Sequence, residues 1–171
     1  MVCCVTGHRP SGFSFSRKIG DLKYMDYCLK LHDEIEYLIK YGYDVFITGM
    51  ADGADIDFAL TVIMFKNKYD YISLEAAIPY PIQPTKTYTE YHENRDYVLE
   101  NCDNKYIISN NYYRGCMHKR NRFMVDRSDL VLAIWNGKKQ GGTWDTIKYA
   151  RSKGKEIRYL MLNTLNEFIS Q

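Results

Sequence analysis

Three short stretches combine glycine, threonine and charge in a way that suits the binding of an anion. Thr6-Gly7-His8-Arg9-Pro10 follows the apolar run Val2 to Val5, and Thr48-Gly49-Met50-Ala51-Asp52-Gly53-Ala54-Asp55 follows Val45 to Ile47. Gly141-Gly142-Thr143 comes after the run Leu130 to Trp135 and the pair Asn136-Gly137. A buried strand that gives way to glycine-rich backbone and then to a helix points amide N–H groups and a helix N-terminus at one edge of a sheet. Phosphate is held at such an edge. The chemistry expected is recognition of a nucleotide-like anion.

Each residue type suggests a role. Gly7 and Gly49 would let backbone approach a ligand closely or adopt a positive φ. Thr6 and Thr48 offer hydroxyls at strand ends, to a ligand or to a neighbouring loop. Arg9 carries a guanidinium fork for phosphate or carboxylate, and His8 can stack or hydrogen-bond beside it. A carboxylate next to phosphate would repel it. Asp52 and Asp55 are therefore expected to cap the following helix or to accept hydrogen bonds from ribose hydroxyls. Met50 and Gly53 complete that loop. Gly141, Gly142 and Thr143 open a helix whose N–H groups and macrodipole suit phosphate. Asn136 sits where a base or ribose edge could be read. Of the flanking tryptophans, Trp135 reads as core, while Trp144 or Trp135 could stack on a base.

These residues need strands and helices to hold them. Apolar positions at Tyr27, Cys28, Leu31, Ile35, Leu38 and Ile39 give the spacing of an amphipathic helix starting near Tyr24, with Gly42 as its stop. A strand at Asp44 to Thr48 and a helix from about Asp52 follow. Tyr71 to Ile78 predicts a third strand, ended by Pro79-Tyr80-Pro81. Thr85 to Asn101 predicts a helix of weak pattern, and Lys105 to Ser109 a short strand. Cys116 to Arg127 predicts a basic helix, Asp129 to Trp135 the most apolar strand, Thr143 to Lys153 a helix, and Glu156 to Met161 a last strand. Ser11 to Arg17 reads as a mobile surface excursion. Strand and helix alternate, and the strands are apolar on both sides. The expected fold is α/β: a Rossmann-like three-layer sandwich with a mostly parallel central sheet, in one domain spanning 1–171. Ligands of such sheets bind outside the strand carboxyl ends, at the switch in strand order.

Composition narrows the partners. Of 171 residues, 46% are hydrophobic and 26% charged, as in a globular domain, and net charge is only +2, which disfavours nucleic acid. One local exception is Arg114, Lys119, Arg120, Arg122 and Arg127 with His118, opposed only by Asp126, readable as a solvated helix face or an anion-facing patch. The five cysteines lack CxxC spacing and the four histidines are scattered, so no metal, cofactor or disulfide framework is expected. Adjacent Cys3 and Cys4 should face opposite sides of a strand. With neither signal peptide nor membrane span in the pattern, a cytoplasmic protein without membrane partners is expected.

The first two loops resemble the SLOG superfamily, specifically its YpsA-like branch. Arg120-Asn121-Arg122-Phe123-Met124-Val125-Asp126-Arg127-Ser128-Asp129 and then Gly141-Gly142-Thr143 extend the likeness nearly over the whole chain. That resemblance implies a Rossmann-like domain for nucleotides, nucleotide sugars or nucleotide-derived signals, and brings Arg120 and Asn121 to the ligand edge. The superfamily includes cytokinin-activating phosphoribohydrolases, the DNA-processing protein DprA and signal-sensing domains of bacterial antiviral systems. It thus implies sensing or sequestration of an ADP-ribose-like or cyclic nucleotide signal, in defence or counter-defence. With the surplus of sixteen tyrosines, it also points to a homodimer. The phosphoribohydrolases carry Pro-Gly-Gly-x-Gly-Thr-x-x-Glu, whereas this chain reads Gln140-Gly141-Gly142-Thr143-Trp144-Asp145-Thr146. The proline and glutamate are missing, and Asp145 is a shorter carboxylate out of register. Binding is therefore placed ahead of N-glycosidic nucleoside monophosphate hydrolysis, and both ahead of single-strand DNA binding.

Overall fold

The computed structural model describes residues 1–81 and 89–163. The elements in chain order are β1 (Val2–Gly7), α1 (Leu22–Lys40), β2 (Val45–Thr48), α2 (Ala54–Lys66), β3 (Ser73–Ile78) and α3 (Glu90–Asn101). They continue with β4 (Asn104–Ile107), α4 (Cys116–Arg127), β5 (Leu130–Trp135), α5 (Gly141–Ser152) and β6 (Glu156–Met161). A single 3-10 turn at Pro10–Gly12 follows β1. Six strands form one sheet in the order β4-β3-β2-β1-β5-β6, and every neighbouring pair is parallel.

The three layers follow from alternation along the strands. Cys3 and Val5 face one side with Phe46, Leu74 and Leu132, against Tyr27, Leu31 and Ile35 of α1, Phe58 and Val62 of α2, and Val98 of α3. Cys4 faces the other side with Ile47, Ala77 and Val131, against Met124 and Val125 of α4 and Ala150 of α5. The adjacent cysteines thus belong to two different cores, as a period of two requires. All five cysteines are free. Asp21 starts α1 two residues before its expected start, because its carboxylate accepts from the Lys23 and Tyr24 N–H groups at 2.9 and 3.1 Å. This is the expected Rossmann-like α/β architecture.

Two expectations need correction. Residues 11–17 are packed down: Phe13 is buried and meets Phe15 and Tyr27 edge-on, at 5.4 and 5.3 Å between ring centres. Arg17 closes the segment by an ion pair to Asp57 at 2.5 Å, and the Tyr27 hydroxyl donates to the same carboxylate at 3.1 Å. Helix α3 begins at Glu90. The expected stretch 85–88 lies outside the described residues. Its pattern is weak because Val98 is its only fully buried residue.

Strand order reverses beside β1. From it the chain steps to β2, β3 and β4 on one side, then returns to β5 and β6 on the other. Helices leaving β1 and β5 go to opposite faces, which opens a crevice at the ends of those two strands. Gly7 lies opposite Ile134 at that edge.

Candidate functional site

A cleft of about 360 Å³ occupies the crevice. Thr6, Gly7, His8 and Arg9 line it from the end of β1, Ala51 and Asp55 from the β2–α2 junction, and Gly142 and Thr143 from the first turn of α5. Met117, Arg120 and Asn121 of α4 complete it, with Ser11 and Gly12 at the 3-10 turn. The three strand-end loops therefore meet at one cleft.

Inside it, many polar groups are already committed. The Thr143 hydroxyl donates to the Gly7 carbonyl at 2.9 Å, which pins the start of α5 to the end of β1. Asn121 Nδ2 donates to Thr146 Oγ1 at 2.8 Å. Arg120 is 5% exposed, and its Nη1 reaches the Gly49 carbonyl and, at 3.3 Å, the Asp55 carboxylate. Asp55 also accepts from the Ala51 N–H at 3.2 Å. Burial pushes the Asp55 carboxyl above its ordinary range against the pull of Arg120, and burial likewise lowers the Arg120 guanidinium. Both shifts have one cause: two charges are held away from water and depend on each other. Arg120 Nε, also buried, has no hydrogen-bond partner among the described residues. Arg9 is exposed and forms no ion pair among the described residues. His8 is half-buried, its pKa lowered by burial against a hydrogen bond with Asn136, and its Nε2 has no partner among the described residues. Burial thus favours its neutral form.

Other residues expected at the site have different duties. Gly7 and Gly49 are not in the left-handed region. A Cβ on Gly7 would overlap that of Ala54, and one on Gly49 would overlap the Arg120 guanidinium. Their small size serves helix packing and the buried arginine. In the second loop positive φ falls instead at Met50 (61°) and Gly53 (95°), and in the third at Gly141 (78°). A Cβ on Gly53 would stand 2.5 Å from the His8 carbonyl, so this glycine lets the first and second loops touch. Gly53 is also the N-cap of α2, which removes the expected cap from Asp52. Asp52 pairs with Arg17 at 3.7 Å and does not line the cleft. The Thr48 hydroxyl, fully buried, donates to the Asp55 carbonyl at 2.8 Å and accepts from the Met50 N–H at 3.2 Å. Asn136 donates to the Gly12 carbonyl at 3.2 Å and stays outside the lining, as does Gly141.

Trp135 and Trp144 stack on each other, centres 5.5 Å apart at 10°, and neither lines the cleft. Asp145 pairs with Lys148 at 2.9 Å on the outer groove between α4 and α5, away from the cleft. The basic helix divides its charges. Arg120 enters the site, Arg122 lies over the Tyr149 ring at 5.2 Å, and Arg127 reaches the buried Glu75 at 3.4 Å.

Sequence reasoning passed over Met117, Ser11 and Gly12 in the lining, and a second hollow bordered by Tyr80, Tyr91 and Arg95. The four-residue step from Tyr91 to Arg95, which places both on one helix face, was the available signal. Among the described residues no group of three or more His, Cys, Asp or Glu is placed to hold a metal, and no helix is long and apolar enough to cross a membrane.

An all-parallel sheet with helices on both faces, and a cleft at the reversal of strand order walled by three glycine-bearing loops, defines a Rossmann-like α/β protein. The chain belongs to the YspA SLOG family, whose sequence model matches residues 3–165. It is 21% identical to a UPF0398 protein of Bacillus cereus (strain G9842), over 99% of this chain and 95% of that one. It is 28% identical to the uncharacterized SPbeta prophage-derived protein YoqJ of Bacillus subtilis (strain 168), over 72% of this chain and 81% of that one. Membership of this family suggests a nucleotide-related role.

Proposed function

We propose that the protein binds a nucleotide or nucleotide-derived small molecule, with a phosphate seated between Arg9 and the first turn of α5. The observation that carries this reading is the charge balance of the cleft. Arg120 offsets Asp55 at 3.3 Å, which leaves Arg9, without an ion pair among the described residues, and the N-terminus of α5 as the surplus positive field. The volume, about 360 Å³, lies in the range of small-molecule sites. Binding is favoured over cleavage because Asp55 is the one carboxylate among the described lining residues and is held by Arg120 and Ala51. Asp145 faces elsewhere.

Isothermal titration with AMP, adenosine and inorganic phosphate tests the reading. AMP is expected to bind, adenosine at least tenfold more weakly, and Arg9→Ala to weaken AMP. Equal affinity for AMP and adenosine, or no loss in Arg9→Ala, would remove the phosphate seat. Chromatography of bound AMP after incubation should return it intact; release of adenine would make the protein a hydrolase.

A further inference from the structure

The outer groove between α4 and α5 is larger than the cleft, about 860 Å³ against 360 Å³. Tyr113, His118, Lys119 and Arg122 line it from α4 and the loop before that helix, and Asp145, Lys148 and Tyr149 line it from α5. The phosphate seat uses none of them.

The charge of the groove is one-sided. Asp145 is the one carboxylate among the described lining residues, and Lys148 cancels it at 2.9 Å. Lys119 and Arg122 are exposed and form no ion pair among the described residues. The same holds for Arg114, beside Tyr113, and for Lys153 at the end of α5. Other surface charges of this chain are balanced. Along α1, Lys30 pairs with Asp26 and Lys40 with Glu36, one turn apart. In α4, Lys119 and Arg122 stand three positions apart with like sign, which costs stability. Helices α2 and α3 open with Asp55, Asp57, Glu90 and Glu93, at the positive end of the macrodipole. Helix α4 has no acidic residue in its first turn, and His118 and Lys119 stand there instead. This placement is the reverse of what the helix alone favours. Departures from local preference of this kind are expected where a protein binds something.

An anionic partner relieves both conflicts. Nucleic acid fits the groove poorly. Single strands stack their bases on aromatic faces, but the Tyr149 ring already carries Arg122 and Lys153, 5.2 and 5.4 Å from its centre. Its hydroxyl donates to Asp126 at 2.9 Å. A phosphate on every residue would also meet the Asp126 and Asp145 carboxylates. A polypeptide spaces its acidic side chains, so it can meet the cations and pass over those two. Tyr112 and Tyr113, 68% and 44% exposed, stand beside the cations. Tyrosine and arginine are enriched where proteins meet, and tyrosine gives an apolar anchor at low entropic cost.

We propose that the α4–α5 groove docks an acidic segment of a partner polypeptide, with carboxylates on Lys119 and Arg122 and an apolar side chain on Tyr113. This interaction surface is separate from the nucleotide site and does not depend on it.

Fluorescence anisotropy on the full chain tests it, with a labelled ten-residue peptide that alternates glutamate and leucine. The comparison probes are the lysine–leucine counterpart and a ten-nucleotide oligothymidylate. The acidic peptide is expected to bind at least tenfold more tightly than either, and to weaken as salt rises. Arg122→Gln and Lys119→Glu should each weaken it at least tenfold. Lys119→Glu should also keep or raise the urea midpoint, because it puts an acid near the start of α4 and ends the repulsion with Arg122. A lower midpoint would show that the cation serves the fold, and would overturn the proposal. So would failure of the acidic peptide to bind, equal binding by the variants, or tighter binding of the oligothymidylate, which would make the groove a nucleic-acid surface. AMP affinity should be the same in both variants as in wild type. Absence of AMP binding in wild type counts against the cleft alone.

Discussion

Replacing Arg120 by methionine keeps most of the side-chain volume and removes the charge that Asp55 faces. The pair is deeply buried, with side chains 6% and 8% exposed. Without Arg120, the Asp55 carboxylate retains the Ala51 N–H at 3.2 Å but no countercharge on its own pair. Breaking a buried ion pair by removing one partner costs about 3–5 kcal/mol. For a chain of this size that lowers the melting temperature by roughly 6–20 °C. The deficit should depend on pH with a defined sign. Burial already raises the Asp55 pKa and Arg120 opposes that rise, so the variant raises it further. Between the unfolded value, about 3.9, and the raised folded value, the folded chain holds more protons than the unfolded one. Stability therefore falls as pH rises through that window and levels off above it. Urea denaturation at pH 5 and pH 8 reads the effect: the gap between wild type and Arg120→Met should be wider at pH 8. Adding Asp55→Asn to Arg120→Met should narrow the gap at pH 8 by removing the stranded charge. A variant within about 1 kcal/mol of wild type at pH 8 would refute the 3–5 kcal/mol assigned to the pair. A gap identical at both pH values would refute the charge argument and leave only lost packing.

Three further outcomes are expected. In Gly142→Leu the added Cβ meets no atom within 4 Å, so stability should stay within about 0.5 kcal/mol, while AMP affinity should fall at least tenfold; unchanged affinity by titration would take α5 out of the site. In Gly7→Ala the Cβ overlaps that of Ala54 and lies 3.1 and 3.3 Å from Ile134 Cβ and its carbonyl oxygen. None of these is the end of a flexible chain, so about 1–3 kcal/mol should be lost, and a urea midpoint equal to wild type would contradict that packing. His8 has a folded pKa below its unfolded value of about 6.5. Its contribution is complete above pH 6.5 and declines as pH falls from there to the folded pKa. His8→Gln should show less loss of stability between pH 7.5 and 5.5 than wild type, and parallel urea profiles would disprove it.

Most of the fold was readable because the signals are local. The apolar runs of β1, β2 and β5 are bounded by glycine or charge, and α1 repeats its buried residues at helical spacing. The meeting of the three loops followed from topology, since parallel strands put all their carboxyl ends on one edge. Pairing between distant residues was not readable. Arg120 and Asp55 are 65 positions apart, and nothing in either neighbourhood says that one basic residue among several turns inward. The same holds for Glu75, which accepts from Asn104 Nδ2 at 3.1 Å inside the sheet, and for Arg17, which seeks Asp57 across 40 positions and so fastens a segment that looks loose. At Gly7 and Gly49 the structure shows a steric demand and no positive φ. Steric room for Ala54 and for a guanidinium leaves the same trace in a sequence as room for a ligand.

The stacked indoles give the protein a built-in optical gauge. The chain has two tryptophans, and they lie face to face where the third loop enters α5. Coupled transitions of paired indoles depend steeply on separation and tilt. A molecule that settles against Gly142 and shifts this turn by a fraction of an ångström would alter near-ultraviolet dichroism and emission together. Occupancy of this end of the cleft can thus be followed on untagged material.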